Sequence, residues 1–144
     1  MVCPKLGILI GIAGWLMIGM HSTAHAQIWT PGSPVKAEVV ADGIQRMTIV
    51  LDTYSYMPNH VVVEAGKPVE LLLTSVTTLT PHNFVIHDSG SGVSVDQDVG
   101  AGKSVTVRFT PNYPGKVSFF CDKRLWPMAS HREKGMEGLL DVTP

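Results

Sequence analysis

The chain has 144 residues, 44% of them hydrophobic, and 11 Lys and Arg against 12 Asp and Glu give a net charge of −1. That length suits one domain with one core. The near-neutral balance, without a basic stripe, excludes nucleic acid as an expected partner.

The chain opens on a targeting pattern. Lys5 gives a short basic region, Leu6 to Met20 is apolar, and Ala24-His25-Ala26 is a small-x-small cleavage signal before Gln27. Residues 1–26 therefore read as a secretory signal peptide. The apolar run of about 15 residues falls short of the roughly 20 that cross a bilayer. Cleavage removes Cys3 and Lys5 and leaves an exported, periplasmic or secreted, protein with no membrane span. It has 10 basic residues, 12 acidic ones and a single cysteine, Cys121. An odd cysteine in an oxidising compartment has three ordinary explanations: burial, pairing between chains, or a metal.

Residues 27–35 form a Pro/Gly/Ser-containing lead-in, and the domain is expected over 36–144. Its pattern is one of short strands. Lys36 to Val40 ends at Asp42-Gly43. Arg46 to Leu51 precedes the turn signal Met57-Pro58-Asn59. His60 to Glu64 ends at Ala65-Gly66-Lys67, and Val69 to Ser75 is an apolar run of β character. Asn83 to His87 closes at Asp88-Ser89-Gly90. Ser104 to Phe109 alternates clearly, Lys116 to Phe120 follows the turn Pro111 to Gly115, and Gly138 to Val142 ends the domain. About eight short strands between Gly/Pro turns indicate an all-β, antiparallel sandwich or barrel.

Cys121 closes the strand ending Phe119-Phe120. His131 and Met136 follow it, and His82 stands upstream in Pro81-His82-Asn83-Phe84. Taken singly, the cysteine reads as a small buried hydrophobe, His82 as a turn residue and Met136 as core filling. Together, a thiolate, two imidazoles and a weak thioether are a blue-copper set. Thiolate and thioether favour Cu(I), and imidazole serves both oxidation states. A site between the two preferred geometries changes little on electron transfer.

In these motifs the chain resembles the cupredoxins, the family of plastocyanin, pseudoazurin and azurin. The likeness runs from about Ile49 to Val142. It rests on Pro81-His82-Asn83, on Phe109-Thr110-Pro111 through Phe119-Phe120-Cys121, and on His131-x4-Met136 within Gly135-Met136-x-Gly138. The resemblance implies a Greek-key antiparallel β-sandwich holding one type 1 copper ion and moving one electron at a time. It implies His82, Cys121 and His131 as equatorial ligands, Met136 as axial ligand, and Asn83 as a hydrogen-bonding support beside the thiolate. The expected partners are redox proteins such as a cytochrome c, a dehydrogenase or an oxidase, met by a monomer through the exposed edge of His131.

Nine residues, Asp122 to Ser130, separate Cys121 from His131, more than in the plastocyanin pattern. They are expected to form a helical turn or a flap, and they bring in Met128 as a rival axial thioether. Lys123, Arg124, Arg132 and Lys134 give this region a mildly basic bias. A mobile loop here would instead suit a copper-delivery protein of the cell envelope. The loop has no second cysteine, which argues against a binuclear copper site. Among the remaining residues, His60 is expected to face solvent, and His87 to lie on the strand face opposite His82. Met57, Phe120 and Trp126 are expected in the core, and Asp96 and Asp98 on a solvated loop. No nucleophile–base arrangement stands at recognisable spacing, and a four-ligand copper leaves no open position for substrate, so no enzyme is expected.

Overall fold

The computed structural model describes residues 30–144. The signal-peptide reading and Cys3 lie outside them. Eleven strands make up the described chain: β1 (Val35–Lys36), β2 (Glu38–Val39), β3 (Gln45–Asp52), β4 (Ser55–Met57), β5 (His60–Glu64), β6 (Val69–Ser75), β7 (His82–Asp88), β8 (Val93–Val99), β9 (Ser104–Phe109), β10 (Gly115–Phe120) and β11 (Glu137–Thr143). One sheet has the order β1-β5-β11-β10-β7-β8. The other runs β2-β3-β6-β9, with β4 on β3. The all-β sandwich is as expected. Within it, β1 with β5, β5 with β11 and β3 with β6 pair in parallel.

The strand total exceeds the expected eight for local reasons. The stretch from Lys36 to Val40 divides at Ala37, which is buried. β1 joins one sheet and β2 the other, so the chain changes layers at this small side chain. Ser55–Met57 is a short strand hidden before the Met57-Pro58 turn signal. Val93–Val99 is an edge strand carrying Asp96 and Asp98, which the sequence places on a loop. Both carboxylates are exposed. An edge strand tolerates polar residues because its outer face is solvated.

Period-2 alternation fills the core. Ile49 and Leu51 on β3, Leu71 and Leu73 on β6, and Leu140 and Val142 on β11 are buried between the sheets. Each such side chain contributes about 1.5–3 kcal/mol relative to exposure. Tyr56, Phe84 and Phe119 form an edge-to-face and tilted aromatic cluster with centroids 4.9–5.9 Å apart. Gln45 is fully buried on β3. It donates to Glu64 O at 3.0 Å and accepts from Glu64 N–H at 2.6 Å, so a polar clip joins the two sheets without an unmet hydrogen bond.

The ladder sets the functional pole. β7, β10 and β11 are neighbours, with antiparallel pairing on both sides of β10. The start of β7, the end of β10 and the start of β11 therefore converge at one end of the sandwich.

Candidate metal centre

That convergence brings His82, Cys121 and His131 together. One ligand atom from each lies within 4.8 Å of the others, and all three residues are buried. His82 opens β7 and is held by the ladder to β8 on one side. Cys121 directly follows β10, and its Sγ is 3.3 Å from His131 Nδ1. The two imidazole centroids are 5.1 Å apart. Met136, directly before β11, is fully buried, whereas Met128 is 47% exposed.

The surroundings fit a soft metal ion. Both ring nitrogens of His82 are buried with no hydrogen-bond partner among the described residues. Leaving such a group unmet costs free energy, which a bound ion would relieve. Burial lowers the His82 pKa to about 4, with the neighbouring His131 adding to the effect and Asp52 opposing it. Burial, and then Lys134, lowers that of His131. Both imidazoles are thus neutral near pH 7, the form that ligates. Burial raises the Cys121 pKa against the lowering effect of the Asn83 and Lys123 N–H groups. An ion binding there must displace the thiol proton.

Asn83 supports the thiol as the family likeness implies. Its N–H points at Cys121 Sγ at 3.4 Å. Its side chain donates to Asp122 Oδ1 at 2.8 Å and accepts from Asp122 N–H at 3.1 Å. The Tyr56 hydroxyl donates to Asn83 O at 2.5 Å from inside the core.

The ligand loop is densely bonded. Cys121 N–H donates to Met136 O at 3.1 Å, Met136 N–H to His131 O at 2.9 Å, and His131 N–H to Lys123 O at 2.9 Å. No helix forms within Asp122 to Ser130; the helical turn starts at Ser130. Ser130 N–H donates to Glu133 Oε2 at 2.6 Å, and Glu133 N–H to Ser130 Oγ at 3.2 Å. This reciprocal pair is a capping box. Its signature, Ser130-x-x-Glu133, stands in the sequence. Gly135 ends the turn at φ 94°, in the left-handed region that glycine enters at least cost.

Several expectations need correction. His131 is only 8% exposed, and what remains open of it lines a groove rather than a free surface. The Tyr54 ring stands edge-on to it, with centroids 5.0 Å apart. Nothing in the sequence marks Tyr54, because the contact spans the whole fold. His60 does not simply face solvent: Nδ1 lies 3.1 Å from Gly32 O and Nε2 3.7 Å from Asp141, because β5 is an inner strand. Met57 and Trp126 are exposed rather than core, since each lies in or beside a turn at the sandwich surface. Phe120 is half-buried under the Arg132 guanidinium, 3.9 Å from its ring centroid. His87 is exposed, as its odd offset from His82 predicts.

Above His131 lies a groove of about 390 Å³. Leu79, Leu125 and Met128 give it an apolar, exposed lining. Lys123, Arg124 and Lys134 supply its charge, and no carboxylate lines it. Lys123 is tethered to Asp98 at 2.5 Å and Arg124 to Glu133 at 2.6 Å.

The family model for the cupredoxin-like domain matches residues 9–135. No curated protein sequence matches the chain. Among solved structures, the metal-binding domain of the Cu(I)-exporting P-type ATPase CopA of Streptococcus pneumoniae D39 is similar, at 23% identity and a TM-score of 0.60, covering 78% of this chain and 97% of that one. Reduced auracyanin from Roseiflexus castenholzii aligns at 20% identity and a TM-score of 0.56, covering 69% of this chain and 97% of its own. The "blue" copper protein auracyanin A from Chloroflexus aurantiacus aligns at 14% and 0.54, covering 70% and 100%. These likenesses are of fold. With a family match across most of its length and a buried His82–Cys121–His131 donor set suited to one copper ion, the chain belongs to the cupredoxin-like family.

Proposed function

We propose that this protein is an exported type 1 copper protein that carries single electrons between redox partners. The observation that carries the reading is the closed His82–Cys121–His131 cluster, buried and held by strands and a bonded loop. A site so confined resists rearrangement between oxidation states. His82, Cys121 and His131 are the equatorial ligands in this reading. Met136 is the axial one, because it is buried beside them in sequence while Met128 lines the outer groove. When bound, copper supplies the one-electron couple. The residues hold the imidazoles neutral, keep Asn83 N–H on the thiolate and exclude water.

The groove over His131 is the exchange surface of this monomeric carrier. Its apolar lining and cationic rim favour a redox protein, such as a cytochrome c, a dehydrogenase or an oxidase, whose own rim is acidic. Such encounters are small and transient. The signal-peptide reading places them in the periplasm or another exported location. Carriage rather than catalysis follows from a fully ligated ion.

The partly exposed Met128 beside His131 favours one other reading, a copper-delivery protein that holds Cu(I) and passes it on. The visible spectrum and voltammetry of the Cu(II)-loaded protein separate the two. Intense thiolate-to-copper absorption with reversible one-electron cycling supports the carrier. A colourless protein that binds Cu(I) tightly and holds no stable Cu(II) overturns it.

A further inference from the structure

Tyr54 occupies a position that a tyrosine does not ordinarily take. It lies in the two-residue turn joining β3 to β4, where Asp52 pairs with Ser55. Its φ is 58°, and among the described residues it is the one non-glycine residue with positive φ. That conformation crowds a Cβ against the neighbouring carbonyl, and Gly or Asn is the usual occupant of such a turn position. Backbone strain of this kind persists only where surrounding contacts enforce it.

Two contacts hold the side chain. Its ring meets His131 edge-on, at 5.0 Å between centroids and 72° between planes. Lys134 Nζ donates to its hydroxyl at 2.9 Å and stands 4.2 Å from the ring centroid. Lys134 belongs to the same helical turn as His131, so the turn that carries the histidine also grips the ring packed against it. Tyr54 and His131 line one groove, yet His131 remains buried. A turn residue that merely filled space would need neither the strain nor the Lys134 bond.

We infer that Tyr54, locked by Lys134, is a positioning residue for His131: it fixes the imidazole plane and keeps water from the ring. The inference rests on the reading of His131 as a copper ligand for its consequence, a raised reduction potential. Water excluded from the ligand shell disfavours the more highly charged oxidised state. It does not rest on copper for its geometry.

Two measurements test it. In the metal-free protein, histidine modification by diethyl pyrocarbonate is followed residue by residue by mass spectrometry. Buried His82 and exposed His87 serve as internal references. Tyr54→Gly suits the backbone and removes the ring, and should raise the His131 rate several-fold while His82 and His87 react as before. Tyr54→Phe keeps the ring without the Lys134 bond and should fall between. In the copper-loaded protein, Tyr54→Gly should lower the reduction potential and shift the thiolate absorption. An unchanged His131 rate in Tyr54→Gly overturns the inference. So does a parallel rise at His82, which marks general loosening. If Tyr54→Gly does not fold, Tyr54→Asn, which also accepts this φ, is read by the same criteria. Failure to bind copper sinks the carrier reading and leaves the modification rates to decide on Tyr54.

Discussion

The two histidines of the centre are held in opposite ways. His82 sits on β7, its backbone fixed by a ladder and its ring nitrogens without partners among the described residues. His131 sits on a loop, its backbone bonded to Lys123 and Met136 and its ring packed against Tyr54. The sheet supplies a ligand whose position the fold dictates. The loop supplies one whose setting depends on its own hydrogen bonds and on Tyr54, brought in from the β3–β4 turn. Changes to the sheet half should therefore act on stability and on the existence of the site, and changes to the loop half on its tuning and metal exchange.

Cys121 joins the halves, so Cys121→Ala should have the largest effect. The thiolate-to-copper absorption should vanish, and copper should no longer raise the melting temperature. Retained coloured copper binding would remove Cys121 from the centre. Next comes Gly138→Ala on the sheet half. A Cβ there would lie 2.0 Å from Phe119 Cζ, inside the aromatic cluster beneath the site. Overpacking of this kind costs about 1–3 kcal/mol, read as a lower denaturation midpoint in the metal-free protein. An unchanged midpoint would mean that Phe119 moves aside freely.

Ser130→Ala addresses the loop half. Losing the capping hydroxyl should cost about 1 kcal/mol. Copper transfer to an external chelator should quicken, while amide exchange in β7 stays as it was. Equal loosening of β7 would erase the distinction between the halves. The smallest effect is expected far from the pole. Glu64 hydrogen-bonds Lys67 and Lys36, and these lower its pKa from 4.5 to about 2. A depressed carboxylate stabilises the fold fully above its unfolded pKa, and that contribution fades as pH falls through the folded value. Glu64→Gln should therefore be slightly less stable than the parent above about pH 4.5, and the difference should shrink toward pH 2. A constant difference across that window would show that charge is not its source.

Much of this was legible in the chain itself. The order His82, Cys121, His131, Met136 and the softness of that set pointed to copper, because ligand chemistry belongs to side-chain type. Alternation located most inner strands, because burial between two sheets imposes a period of two. The misses share a cause. Asp96 and Asp98 looked like a loop because an edge strand need not alternate apolar residues on its solvated face. Ala37 gave no sign of a change of layer, since β1 pairs with β5, 26 residues further along the chain.

What the sequence determined, then, was which donors exist and that an all-β sandwich would frame them, since both follow from local composition and spacing. The tertiary structure alone decided that His131 is shielded, that Tyr54 and Lys134 shield it, and that Leu79 and Leu125 meet over it in one groove. Tyr54 and Leu79 are far from His131 in the chain, and only the convergence of loops at one end of the sandwich makes them its neighbours.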